Sequence, residues 1–245
     1  MAKQRLDQAL AARGLVASRS QAESYIKLGK VLVQGKVITK PGFMVTDEAL
    51  IDLTVAEQYV SRAALKLASV AESLKLDFKN KTVLDVGSST GGFTDYALRH
   101  GANYVIAVEV GTDQLHPSLH GHPLIELHEQ TDIRAVKTLS RPVDMVVADV
   151  SFISLRDILP AVAKLAGPGT QIVAMVKPQF EAEHSSLKHK GVIKNDTMRR
   201  DILKSFEAWA HQSFMIIDKA DSVVAGAKGN RERFYLLKTS APKGR

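Results

Sequence analysis

The chain has 245 residues, 45% hydrophobic, 24% charged and 6% aromatic, which suits a globular protein with a sizeable core and argues against disorder or a fibrous architecture. It contains no cysteine, so a disulfide scaffold, a thiolate metal site and a cysteine nucleophile are excluded. Lysine and arginine number 33 against 26 acidic residues, and the formal charge of +7 suits a polyanionic partner without naming one.

The opening MAKQRLDQAL is charged throughout, and no stretch approaches the roughly 18 uncharged apolar residues of a membrane span. The expectation is a cytoplasmic protein with no secretory leader and no membrane partner. The charge excess is concentrated at the start of the chain. Lys3, Arg5, Arg13, Arg19, Lys27, Lys30, Lys36 and Lys40 stand there against only Asp7 and Glu23. The segment from Lys228 onward is basic again.

Leu6, Leu10 and Leu15 form a short amphipathic pattern that stops at Gly14. Ser18 is placed to cap a second helix, with Gln21 as its partner three residues on, and Gly29 ends it. VLVQGKVI alternates around Gln34-Gly35, the signature of a tight turn between two strands. Pro41-Gly42 and the polar TDEALIDL close this small α+β unit near residue 53. Two helices and a small sheet make a marginal core, so the unit is expected to pack on something.

From about residue 60 the pattern becomes strand alternating with helix. Strands are predicted at 82–87, 104–110, 124–129, 143–150 and 170–176, with helices over Gly92–His100 and Leu155–Lys164. A helix around Met198–Trp209, then strands in SFMIID and RFYLLK, follow. Apolar runs separated by helices imply an α/β unit with a mainly parallel sheet covered on both faces and an antiparallel edge. There is no internal repeat and no low-complexity segment.

The sharpest local feature is DVGSSTGGFT, from Asp85 to Thr94, which leaves a buried strand and enters a helix through a glycine turn. At that point of an open α/β sheet, glycines let the backbone approach a ligand and helix amides face it. The spacing is not G-x-G-x-x-G and no P-loop lysine follows. Glu109 ends the next predicted strand, where a carboxylate commonly takes both ribose hydroxyls of an adenosine. Acid-x-Gly, a small-residue turn and a second-strand acid point to S-adenosylmethionine rather than NAD; a bare strand–helix turn is the plain alternative. The expected cofactor set is Asp85, Gly87, Ser88, Ser89, Thr90, Gly91, Gly92, Phe93, Glu109, Asp132 and Asp149. Asp132, in TDIR, is placed to accept from the adenine amino group; a loop cap serves equally well there.

DVGSSTGGFTDYAL, DVSFISL at 149–155, KPQFE at 177–181, KGVIK at 190–194 and GAKGNRE at 226–232, in this order, resemble the TlyA family. The resemblance covers essentially the whole chain. It implies a Rossmann-like, FtsJ-like methyltransferase domain over 59–245. Ahead of it, over 1–58, it implies an RNA-binding module and linker of the αL type named after the fourth small-subunit ribosomal protein. The implied activity is S-adenosylmethionine-dependent 2′-O-methylation of ribosomal RNA, at cytidine, with ribosomal RNA or subunits as partner and no obligate protein partner. Carried over by motif, the Lys-Asp-Lys-Glu tetrad is Lys66, Asp149, Lys177 and Glu232. Arg5, Arg13, Arg19, Lys27 and Lys30 are the implied RNA contacts.

Lys177 is the expected base towards a ribose hydroxyl, with Lys66 orienting that hydroxyl and the two carboxylates holding the lysines. Three departures stand out: Glu109 where the family commonly has Asp, TDIR near the adenine, and Ala227 where Pro is frequent. His116, His120 and His122 have no convincing fourth ligand, so no metal is expected. Ser151 lacks a hydrolase elbow. Phe206 and Trp209 read as core, and HSSLKHK at 184–190 as a basic loop that is either solvated or a lid. Two rival functions remain at this point. One is an RNA-binding assembly factor that keeps the fold without catalysis, and the other is a haemolysin, a label that relatives often carry.

Overall fold

In the first third of the chain, the start of the second helix is fixed by a side-chain cap. The computed structural model describes residues 3–55, 58–182, 191–226 and 229–240. Strand β1 (Lys3–Arg5) runs into α1 (Leu6–Ala12), which buries Leu6, Ala9 and Leu10. Ser18 accepts from Gln21 N–H at 3.2 Å, and the Gln21 side-chain oxygen accepts from Ala17 N–H at 2.9 Å, so the pair closes the start of α2 (Arg19–Lys27). The hairpin β2 (Val31–Val33) to β3 (Lys36–Val37) turns through Gln34 and Gly35, both at positive φ, as a two-residue turn of matching twist requires.

The polar stretch that follows holds two strands with no clear sequence pattern. β4 (Met44–Thr46) pairs with β1, and β5 (Ile51–Leu53) pairs with the free side of β2. Each offers only one buried residue in three, Val45 and Ile51, too few for period-2 alternation to register. The core of this module also takes in Leu65 and Val224, from elsewhere in the chain. The expected packing partner is therefore the larger unit.

That larger unit begins with α3 (Arg62–Ala71) and is built on a seven-stranded sheet. Its parallel strands are β6 (Thr82–Val86), β7 (Tyr104–Val108), β8 (Ile125–His128), β9 (Met145–Ala148) and β10 (Gln171–Val176). β11 (Phe214–Asp221) and β12 (Arg233–Thr239) complete the order β11-β12-β10-β9-β6-β7-β8, with β12 antiparallel to both its neighbours. The predicted strands and antiparallel edge are all present, shortened where DVG and ADV turn into loops.

Alternation along the strands sorts the core into two layers. Leu84, Val86, Ile106, Val146 and Ile172 face α5 (Leu155–Leu165) and α7 (Asp196–Ala210). Val83, Val105, Met145, Val147 and Val173 face α3 and α4 (Gly92–Arg99). Phe206 is fully buried, and Trp209 packs against the same core, as expected. A short helix, α6 (Pro178–Glu181), follows β10. Parallel order puts the carboxyl ends of β6, β7, β9 and β10 along one rim, where an open α/β sheet takes its ligand.

Candidate active site

The turn after β6 is shaped by contacts that only glycine permits at Gly87. Its φ is +81°, and a Cβ there would lie 2.8 Å from the Asp149 carbonyl oxygen, so the ends of β6 and β9 touch backbone to backbone. Beneath the turn Asp85 is buried, with Thr94 Oγ1 donating to one oxygen at 2.7 Å; the other oxygen is buried with no partner among the described residues. Burial pushes the Asp85 carboxyl up to about 7, reinforced by the charges of Asp149 and Glu109 and opposed by Thr94. Glu109, just past β7, accepts from Ser89 N–H on one oxygen and from Gly111 N–H on the other, both at 2.8 Å. The longer side chain in place of Asp is therefore fixed in direction.

Gly87, Ser89, Glu109, Asp132 and Asp149 line one cleft of about 500 Å³ at this rim. Its remaining walls include Val108, Val110, Ile133, Ile158, Gln114 and Arg134. Apolar walls with a few convergent polar groups suit a nucleoside. Not every predicted cofactor residue reaches the cleft. Ser88 is buried behind the turn and Thr90 is exposed on it. Gly91 abuts Leu115 and Leu119, and Gly92 gives α3 its close approach to α4. The Phe93 side chain is core, its ring 6.1 Å from that of Phe234. Asp132 caps a turn by accepting from Arg134 N–H and pairs with the Arg134 guanidinium at 2.6 Å. The loop-cap reading of that position is realised, at the wall of the cleft.

The four motif residues come together in two pairs. Lys177, directly after β10, lies 2.5 Å from Asp149 Oδ1, directly after β9, the two strands being parallel neighbours in the sheet. Lys66, on α3, lies 2.6 Å from Glu232 Oε2, which precedes β12. Glu232 is 2% exposed, and burial raises its carboxyl above the ordinary glutamate value against the opposing charge and hydrogen bond of Lys66. A neighbouring loop holds it in place. A Cβ on Gly226 would come within 2.7 Å of Glu232 Oε1, and Arg62 donates to the Ala225 carbonyl at 2.8 Å. Ala227, in that loop, and the 184–190 segment with Lys188 and Lys190 lie outside the described residues.

Sequence reasoning missed two residues of this rim. Ser151, set aside for want of a hydrolase elbow, accepts from Lys177 Nζ at 2.8 Å. Phe152 is 92% exposed at the cleft mouth, with φ of +64° and its ring 5.4 Å from that of Phe180. Its apolar ring thus stands open to solvent beside the cleft. The readable signal for both was DVSFISL, a polar and an aromatic residue directly after a strand-end acid. The histidines bond locally: His116 with Ser118, His120 with the Leu115 carbonyl, and His122 with Leu124 N–H.

The RNA contacts implied for the N-terminal module divide into two kinds. Arg5 and Arg19 share the buried carboxylate of Asp7, at 2.8 and 2.9 Å, and Arg13 donates to the carbonyls of Thr46, Asp47 and Ala49. Lys27 and Lys30 are exposed and pair with no acid among the described residues.

The FtsJ-like methyltransferase family matches residues 59–239, and the S4 domain matches residues 4–51. The 16S/23S rRNA (cytidine-2′-O)-methyltransferase TlyA of Mycobacterium tuberculosis is 37% identical over 244 residues, covering 98% of this chain and 91% of that protein. The 23S rRNA (cytidine-2′-O)-methyltransferase TlyA of Campylobacter jejuni is 39% identical over 194 residues, covering 78% and 75%. A solved structure from Streptococcus thermophilus, named as a hemolysin, superposes with a TM-score of 0.70 at 34% identity, covering 98% of this chain and 90% of that one. The chain belongs to the TlyA family of FtsJ-like methyltransferases.

Proposed function

We propose that the protein methylates the 2′-hydroxyl of a cytidine ribose in ribosomal RNA, using S-adenosylmethionine. The observation that carries this reading is the pairing of Lys177 with Asp149 and of Lys66 with Glu232 at the rim of a nucleoside-sized cleft. The cleft fits the cofactor on its own terms. Glu109 holds a carboxylate at the second strand end, where ribose hydroxyls are taken, and one Asp85 oxygen beneath the turn is buried without a partner among the described residues. Gly87, Ser89, Glu109 and Asp132 would hold the nucleoside part, with Asp85 beneath.

When bound, S-adenosylmethionine supplies an electrophilic methyl carbon on a sulfonium. The rest falls to the chain. A ribose hydroxyl is a poor nucleophile near neutral pH, so a base within hydrogen-bond reach speeds the reaction, typically by about 10²–10⁴-fold. Lys177 takes the hydroxyl proton, and Asp149 then lies beside the resulting ammonium. Lys66, held by Glu232, orients the hydroxyl oxygen and stabilises negative charge developing on it. Phe152 offers its open ring to the target base, because every base has a face for stacking.

Lys27 and Lys30 contact RNA phosphates directly. Arg5, Arg13 and Arg19 shape the module and present their remaining N–H groups. Intact ribosomal subunits are a natural source of the folded RNA such a two-part surface needs, and that substrate puts the work in the cytoplasm. Among the described residues no helix is long and apolar enough to cross a membrane.

The test is transfer of tritiated methyl from S-adenosylmethionine to ribosomal subunits lacking the modification. Wild type should label the RNA at a 2′-oxygen, and Lys177→Ala should lower kcat by about 10³-fold. Label with both proteins at equal rate would remove Lys177 from the chemistry. No label with either, despite cofactor binding, would favour a binding role.

A further inference from the structure

An amine nitrogen on a lysine side chain has three directions beyond its own carbon. At Lys177 one of them is taken by a hydrogen bond to Ser151 Oγ at 2.8 Å, while the Asp149 carboxylate lies beside the amine as its ion-pair partner, Oδ1 at 2.5 Å. We propose that Ser151 is a positioning residue for Lys177. It engages one N–H group of the amine while the Asp149 carboxylate holds the amine from beside it, so that the lone pair of the neutral base is turned to the ribose hydroxyl. The inference rests on reading Lys177 as the base.

The surroundings favour a placed hydroxyl over an incidental one. Lys177 is 8% exposed, so little water competes for its N–H groups. Ser151 is exposed and lines the cleft while its hydroxyl meets Lys177, so it joins the amine to the ligand side. Its loop is pinned at both ends. Asp149 N–H donates to the Val86 carbonyl at 3.0 Å, and Glu181 accepts from Ser154 Oγ and Leu155 N–H at 2.6 and 2.7 Å. Glu181 sits on α6, which starts immediately after Lys177, so the base and the loop that orients it share one support. Between the pins, Phe152 holds a left-handed backbone, a conformation a non-glycine residue keeps only where the surroundings over-determine it. The loop thus aims both its side chains, the hydroxyl inward to Lys177 and the ring outward.

The experiment compares wild type with Ser151→Ala, Ser151→Thr and Lys177→Ala in the full-length protein. It uses subunits lacking the modification, with kcat and KM measured separately and S-adenosylmethionine affinity measured by calorimetry. Ser151→Ala should lose on the order of tenfold in kcat, the worth of one hydrogen bond to a mobile amine. Its KM for RNA and its cofactor affinity should not change, and Ser151→Thr should restore most of the rate. An unchanged kcat in Ser151→Ala, a loss carried by KM or cofactor affinity, or a loss that threonine leaves in place would overturn the proposal. Lys177→Ala separates the two levels. If it keeps the wild-type kcat, the reading of Lys177 as base falls and the inference with it. If it is inactive while Ser151→Ala is fully active, only the inference falls.

Discussion

Asp7 in the N-terminal module and Asp85 beneath the cofactor turn are both almost fully buried, yet their carboxyls are displaced in opposite directions. Burial works to raise both. At Asp7 it is outweighed by hydrogen bonds from Arg5 and Arg19, and the carboxyl is held below its ordinary value. At Asp85 the only side-chain donor among the described residues is the Thr94 hydroxyl, and the nearby charges are acidic. Burial alone therefore predicts nothing about a carboxylate; the number of cationic donors it meets decides the sign. The same contrast separates the cations. Arg5, Arg13 and Arg19 are engaged by the chain itself, and Lys66 and Lys177 each hold a carboxylate at the rim. Lys27 and Lys30 stand free of the described acids.

The largest effect that would sharpen this comparison is at Asp85. Between its ordinary value of 3.8 and about 7 the unfolded chain gives up a proton that the folded chain keeps. Its contribution to stability is therefore complete below 3.8 and lost as pH rises to about 7, on the order of a few kcal/mol. Urea unfolding of the cofactor-free protein from pH 3.5 to 8 should show this fall in wild type and not in Asp85→Asn, whose amide oxygen still accepts from Thr94. Parallel pH curves for the two proteins would refute the assignment.

A smaller effect of opposite sign is expected at Asp7. Its folded carboxyl is depressed, so its contribution is present above 3.8 and lost as pH falls through the folded value. Asp7→Asn should cost about 1–2 kcal/mol near neutral pH, because the two guanidiniums it holds are half exposed and screened. That cost should vanish in acid. A stability difference that does not shrink as pH falls below 3.8 would mean that the side chain acts by packing alone.

The smallest effect distinguishes free lysines from engaged arginines. Lys27→Ala with Lys30→Ala should leave stability and kcat at saturating RNA unchanged. The double substitution should reduce the slope of log affinity against log salt by about 0.7–0.9 for each phosphate that is no longer neutralised. An unchanged slope would take these lysines out of the RNA interface. A fall in kcat at saturating RNA would mean that they also set the register of the target nucleotide.

Much of this protein follows from short-range pattern. The Ser18–Gln21 cap, the Gln34-Gly35 turn, the seven-strand alternation and the glycine turn after Asp85 each depend on residues a few positions apart. Backbone geometry alone converts such spacing into structure. Asp149 and Lys177 stand at the ends of two strands legible in the same way, and the adjacency of those strands in the sheet brings them together. Only the tertiary structure decided what depends on distant neighbours. The carriage of Lys66 to Glu232 by a helix against a strand from the far end of the domain is one such outcome. The burial of Phe93 in the core, the use of Asp132 as a cap, the outward turn of Phe152 and the opposite displacements of Asp7 and Asp85 are others. The reason is physical: a side chain's type and spacing set what it can do, but burial and the charges that other segments bring within a few ångströms set which of those things it does.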